Sequence, residues 1–242
     1  MTPKEMNSVL RRIRAAEPRT VSPLHNGDRL SQPDFHRRYE AYPEDVQFEL
    51  IGGIVFMASP LRRKHSQYDD EIGYLFGAYR RATQGLEVIH GASAILGAES
   101  EPQPDLGLLI LEEYGGQTTV NKEDYIVGAP ELLAEIAYST VSLDMHLKKA
   151  DYKLAGVQEY IVVCVEEEEL HWFDFKSGGI ILPDSKGLSR SRVFPGLWID
   201  GRALLARESS RVLKALKQGL ASREHAAFVR RLQTAHRKHT AK

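Results

Sequence analysis

The chain reads as an α/β protein of mixed type: strands and helices interleave through one sizeable domain that carries a helical C-terminal extension. Three observations predict this. Short apolar runs, among them Leu106-Gly-Leu-Leu-Ile110 and Leu132-Leu-Ala-Glu-Ile-Ala137, have the length and the Leu/Ile content of buried strands. Between such runs, Ile72, Leu75, Phe76 and Tyr79 recur at spacings of three and four, the period of a helix with one apolar face. The stretch after Gly201 again has helical character and ends the chain.

In chain order, residues 1–29 predict a flexible leader with at most a short helix around Val9, Leu10 and Ile13. Ser31-Gln-Pro-Asp34 marks a helix start. Phe48-Glu-Leu-Ile-Gly-Gly-Ile-Val-Phe-Met57 places two apolar runs around Gly-Gly, which is a hairpin signal. A helix is expected from His65 to about Thr83, closed by Gly85. Leu86–His90 and Ala92–Leu96 read as strands joined near Gly91, and the strand that follows Asp105 comes next. The polar stretch from Glu112 to Gly128 reads as a loop or a short excursion, long enough to contact a substrate or a partner.

The strand holding Glu135 leads into a helix from about Leu143 to Ala155, with Gly156 as its C-cap. Glu159–Val165 is a further strand, and the carboxylates of Glu166–Glu169 face water. Leu170–Phe175 and Gly179–Leu182 form another hairpin, and Phe194-Pro-Gly-Leu-Trp198 is a turn that buries aromatics. The tail predicts two helices, Ala203–Gln218 and Ser222 to about His236, with Ser222 as an N-cap.

Composition narrows the function classes. With 242 residues, 42% of them hydrophobic and 27% charged, the chain has the make-up of a soluble globular protein. No apolar run approaches the roughly 18 residues of a membrane span, and no secretory signal pattern is present, so a cytoplasmic protein is expected. The single Cys164 lies in an apolar run and reads as a core residue. The net charge of −1 hides an asymmetry: 201–242 carry eleven Lys/Arg against two Asp/Glu, a net of +9, and the rest is acidic. A basic tail on an acidic body points to an anionic partner, nucleic acid among them, or to contact with the body itself, and a solvated helical face reads as well.

The chemistry concentrates between Gln103 and Tyr160. Asp105 stands at the mouth of one apolar run and Glu135 inside another, where a carboxylate is costly to bury without a partner or a metal. On neighbouring strands the two would offer hard oxygen ligands to one Mg²⁺ or Mn²⁺, which activates water and stabilises charge on a phosphate. Lys148, on the following helix, could orient the attacking water. Each residue also has a bland reading: Pro-Asp is ordinary turn chemistry, and a strand Glu or a helix Lys commonly faces water.

Together these segments resemble the Uma2 (DUF820) family, restriction endonuclease-like proteins of the PD-(D/E)XK nuclease superfamily. The resemblance is carried by Phe48-Glu-Leu-Ile-Gly-Gly, Ala58-Ser-Pro60 with His65, Gln103-Pro-Asp105, Ala129-Pro130 through Glu135 to Thr140, Asp144 through Lys148 to Tyr152, and Ala155-Gly-Val-Gln-Glu-Tyr160. It implies a central mixed sheet flanked by helices, placed here over residues 30–200, ahead of the basic helical extension 201–242 read from composition. It also implies Asp105 and Glu135 as metal ligands and Lys148 as the catalytic cation. The superfamily's usual lysine position, two residues after the second acid, is here Ala137. Glu49, His65 and Lys149 are implied as accessory groups. Where the family commonly carries Asp-Gly-Glu after its first hairpin's Leu-Ile, this chain has Gly52-Gly53-Ile54 and lacks the second acid.

The expected function is therefore a metal-dependent endonuclease acting on DNA, as a homodimer if it cuts both strands, with no membrane partner. The alternative is a catalytically silent nucleic-acid-binding or protein-interaction module on the same fold, which the Ile54 departure favours. A weaker reading is an RNA or small-molecule phosphodiesterase.

Overall fold

The structure, a computed structural model, describes residues 21–43, 45–58 and 60–241. It opens with helix α1 (Gln32–Tyr39), whose N-cap Ser31 accepts from the Asp34 N–H. A hairpin follows, β1 (Phe48–Ile51) and β2 (Ile54–Met57). Gly52 and Gly53 both have positive φ, 56° and 75°, the backbone that a two-residue turn of the I′ type requires. Next come the long helix α2 (Arg63–Ala82), strand β3 (Leu86–His90) and the short strand β4 (Ala94–Ile95). Strand β5 (Leu106–Ile110) leads through a single 3-10 turn, Glu112–Tyr114, to β6 (Thr119–Val120), β7 (Ile126–Val127) and β8 (Leu132–Ala137).

The chain then winds as a π-helix over Leu143–Lys148 and continues directly as α3 (Lys149–Ala155), which Gly156 ends at φ 102°. Strands β9 (Glu159–Cys164), β10 (Glu169–Asp174), β11 (Gly179–Ile180), β12 (Leu188–Arg190) and β13 (Trp198–Asp200) precede three C-terminal helices. These are α4 (Gly201–Leu205), α5 (Ser209–Leu220) and α6 (Arg223–Thr240). No helix among the described residues is long and apolar enough to cross a membrane.

The main sheet has six strands in the order β11-β10-β9-β8-β5-β3. Only β8 and β9 pair in parallel, and the other neighbours are antiparallel, so the sheet is mixed. β5, β8 and β9 are buried along their whole length, because helices cover both faces of the sheet. The period-two alternation of each strand sorts side chains between two cores. Leu106, Leu108, Leu132, Ala134 and Ile136 pack toward Ile72, Leu75, Phe76 and Tyr79 of α2. Leu133 and Ala137 face the other way, toward Tyr152 and Tyr160. Glu135 lies between these two in the alternation and shares their face, the one covered by the π-helix and α3. Gly107 has a packing reason: a Cβ there would lie 2.6 Å from Ile89 Cγ1 and 3.1 Å from Leu133 Cδ2.

Several sequence expectations need correction. The leader does not extend to residue 29. Leu24 is buried, and its N–H donates to Tyr42 Oη at 2.9 Å. Arg29 bridges to Ile54 of the first hairpin. The helix expected near Val9 lies outside the described residues. The tail is not an appendage, since Leu204, Val212, Leu216, Phe228 and Leu232 belong to the main core. It also has three helices, with Arg207 at φ 54° between the first two.

The polar stretch after Glu112 is not an open loop. Its strands β6 and β7 join β4 in a small sheet, and Tyr114 stacks on His236 of α6 at 4.3 Å. The strand expected over Ala92–Leu96 shrinks to Ala94–Ile95, and it pairs with β7 rather than with β3. The Phe194 turn is held between β12 and β13, a pair too short to show an alternation.

The last helix offers a first test of the local reading. Ser222 Oγ accepts from the His225 N–H at 3.1 Å, as expected of an N-cap. Ser222→Ala should lower stability by about 1 kcal/mol, measured by urea unfolding. An unchanged midpoint would mean that core packing alone holds α6.

Candidate active site

Four elements meet around one side chain, Lys148. The π-helical winding of 143–148 turns Lys148 inward, where its side chain is 6% exposed. Its Nζ lies 2.9 Å from Glu49 Oε1 on β1, 3.1 Å from Glu135 Oε1 on β8, and 3.9 Å from Asp144 Oδ1, one turn earlier on its own winding. Tyr152 of α3 donates its hydroxyl to the same Glu135 oxygen at 2.7 Å. The Gln103 N–H donates to Glu49 Oε1 at 2.8 Å, and Thr140 Oγ1 donates to Asp144 Oδ2.

Burial by itself would strip the proton from Lys148, but Glu135, Glu49 and Asp144 outweigh it and hold the ammonium well above the usual lysine range. Burial raises Glu135 well above the carboxylate range, against the pull of Lys148. Asp144 is pushed up to about 6, again by burial and again opposed by Lys148.

Asp105 stands beside this group, just ahead of β5. Its Oδ2 accepts from the Ile136 N–H of β8 at 2.7 Å and lies 3.1 Å from His65 Nε2 on α2. Burial acts to raise its carboxyl, yet His65, the Ile136 N–H and Lys148 together hold it below the ordinary value. His65 moves in the complementary direction: burial would lower it, and Asp105 raises it. One turn along α2, Asp69 Oδ2 lies 2.7 Å from His90 Nε2 at the end of β3.

All of these groups, Tyr152 excepted, line one cavity of about 200 Å³, with Gln103, Arg62 and Tyr138 also on its walls. The chain therefore brings together Asp105, Glu135, Lys148, Glu49 and His65. It does not bring Lys149, whose Nζ sits over the Phe173 ring at 4.6 Å, because the next residue along a helix points to a different face. Sequence reasoning missed Asp144, Asp69 and His90. A signal existed for two of them, since Asp144 precedes Lys148 by four residues and Asp69 follows His65 by four, the spacing of helix neighbours. His90 had none, being one more residue at a strand end. Ile54 does not line the cavity, so the lack of an acid at that position removes no group from it.

A larger cavity, about 550 Å³, lies at the opposite end of the strands, between Ile110, Glu131 and the α6 residues Arg231, Leu232 and Ala235. Its two buried carboxylates are already satisfied: Glu131 accepts from the Ile110 and Gln117 N–H groups, and Asp174 accepts from the Lys176 and Ser177 N–H groups and from Arg192. The basic α6 therefore packs at the far end of the sheet from Asp105, not over the smaller cavity.

Five carboxylates, Glu49, Asp69, Asp105, Glu135 and Asp144, share the smaller cavity with the Lys148 ammonium, the Arg62 guanidinium and the imidazoles of His65 and His90. That excess of negative charge attracts a cation. Among the described residues no three His, Cys, Asp or Glu side chains are arranged as a ready-made metal cage. The donor set still suits Mg²⁺ or Mn²⁺. Such ions need only one or two carboxylates, with waters and substrate phosphate completing the shell. Asp105 Oδ1 and Glu135 Oε2, for which no donor is found among the described residues, are the oxygens left over for this.

The comparisons with known proteins agree with this architecture. The family model of Uma2, "Putative restriction endonuclease", matches residues 33–204. Among solved structures, the chain is similar to a "putative nuclease belonging to DUF820" from Anabaena variabilis ATCC 29413. The two are 14% identical with a TM-score of 0.52, and the match covers 70% of this chain and 97% of that one. At that identity the likeness is one of fold. No curated protein matches the chain.

Proposed function

The chain belongs to the Uma2 family, "Putative restriction endonuclease", and from that premise we propose that it is a metal-dependent endonuclease that hydrolyses phosphodiester bonds in DNA. Family membership supports a nuclease-like function. The observation that carries the finer reading is the burial of Lys148 among Glu135, Glu49 and Asp144, in the cavity that also receives Asp105. A lysine beside two ligand-type carboxylates is a group set able to support metal-assisted phosphodiester hydrolysis.

In this reading Asp105 and Glu135 hold Mg²⁺ or Mn²⁺, which when bound would lower the pKa of water and offset charge on the phosphate. Lys148 remains charged at neutral pH and presents the ammonium to the attacking water or to a phosphoryl oxygen. Glu49 and Tyr152 fix the positions of Lys148 and Glu135 from opposite sides. His65 fixes Asp105. Cutting both strands of a duplex needs two such sites, which a homodimer would supply.

Supercoiled plasmid incubated with the protein and Mg²⁺ should become nicked or linear, and excess EDTA should stop the reaction. Salt-dependent retardation of DNA without cleavage, across Mg²⁺ and Mn²⁺, would instead establish the silent binding module.

A further inference from the structure

The candidate cavity has two unlike walls, and the sheet order separates them. β5 lies between β8 and β3. Along the strand ends Asp105, at the start of β5, therefore lies between β8 and β3. Glu135 and Lys148 reach the cavity from the π-helix face of the sheet, and His90 from the α2 face, which Leu106 shares. His90 pairs across the sheet with Leu106, the residue after Asp105, and the Gly91 N–H donates to the Asp105 carbonyl oxygen at 3.0 Å. The imidazole and Asp69 both line the cavity. With Nε2 against Asp69 Oδ2 at 2.7 Å, no partner among the described residues takes Nδ1, and the side chain is 57% exposed. Asp69 is less exposed, at 18%, and its other oxygen is buried with no partner among the described residues. The carboxylate is thus mostly buried while the imidazole against it stays accessible.

Phosphoryl transfer runs in line, so the attacking and leaving oxygens lie on opposite sides of phosphorus. If Lys148 serves the attacking water, the leaving oxygen emerges toward the β3 flank. We propose that His90 is the general acid that protonates this leaving oxygen, with Asp69 as the residue that positions its ring. The assignment rests on the nuclease reading and deepens it. In the step, the water oxygen bonds to phosphorus and the ester P–O bond breaks. The departing oxygen keeps the electron pair and takes the proton from His90 Nδ1. The proton lost by the attacking water returns through solvent to recharge the imidazole.

The leaving group itself gives the test. An ordinary deoxynucleoside alkoxide needs a proton as it departs, whereas p-nitrophenolate does not. Wild type, His90→Gln and Asp69→Asn would be assayed with Mg²⁺ on a DNA oligonucleotide and on bis(p-nitrophenyl) phosphate. His90→Gln should lose about 100-fold on the oligonucleotide, the usual range for general-acid catalysis, and far less on the nitrophenyl ester. Asp69→Asn should show the same selective loss in weaker form. Equal losses on both substrates, or none on either, would overturn the assignment while leaving the nuclease reading intact. A wild type inactive on both would overturn that reading and the assignment with it. His90 is exposed at a strand end, so the substitution leaves the core untouched.

Discussion

Asp105→Asn and Glu135→Gln, made singly, are each expected to abolish binding of Mg²⁺ and to lower plasmid cleavage by about 1000-fold, equivalent to about 4 kcal/mol of transition-state stabilisation. The substitutions keep side-chain shape. At position 105 the new amide would still accept from the Ile136 N–H through its oxygen, but its NH₂ group would face whatever Asp105 Oδ1 now faces. At position 135 the amide oxygen would still accept from Tyr152 and Lys148. The Glu135→Gln fold should survive, because burial already disfavours the charged form of Glu135 and a neutral amide relieves that cost. Asp105→Asn gives up the attraction of His65 and Lys148 that holds Asp105 charged, and should lower stability while keeping the fold. Calorimetry with Mg²⁺ and with Mn²⁺, next to a thermal unfolding scan, separates loss of the ion from loss of the fold. Undiminished metal binding in either variant would exclude that residue as a ligand.

Lys148→Met should have the largest effect on stability. Removing one partner from a buried ionic group typically costs about 3–5 kcal/mol. Here the ammonium is shared by three carboxylates, all largely buried. The loss should depend on pH. Asp144 is already pushed up to about 6 in the folded state, and Glu135 is raised as well. A carboxyl with a raised folded pKa binds its proton more tightly when folded. Its favourable contribution is complete below the unfolded value, near 3.8 for Asp, and is lost as pH rises through the folded value. Without Lys148 the folded values climb further. The variant should therefore approach wild-type stability near about pH 4 and fall well below it above about pH 6. Urea unfolding at both ends of that window would check this, and a deficit independent of pH would mean that packing, not charge, is what Lys148 supplies.

Much of this molecule could be read from the chain before folding, for identifiable reasons. The first hairpin was legible because Gly52-Gly53 provides the positive φ that its turn needs, between two apolar runs. The central strands were legible because β5, β8 and β9 are buried on both faces and so are apolar nearly throughout. In that background Glu135 stood out as an anomaly, and Asp105 as an acid at a strand mouth. Lys148 was legible from its place on the helix after the Glu135 strand and from the family resemblance, but its burial was not, since a lysine on a helix carries no mark of it.

Other features were closed to sequence reading. Lys148 and Lys149 are adjacent and chemically alike. Only the winding of 143–148 decides that the first enters the cavity while the second lies over Phe173. Which of its readings the basic tail would take, an anionic partner, contact with the body or a solvated face, was open, because its charges dominate its composition and its few core residues, such as Phe228 and Leu232, are widely spaced.

The sequence by itself determined the fold class and the strands of the inner sheet, and marked Asp105 and Glu135 as acids in or beside apolar runs, because hydrophobic periodicity and turn chemistry are local properties. Only the tertiary structure decided the partners. It brought Glu49 and Tyr152 to the Lys148–Glu135 pair, set His90 and Asp69 across from them, and sent α6 to the far end of the strands. Those pairings depend on strand order and on helix rotation, and neither is encoded in the spacing of any one segment.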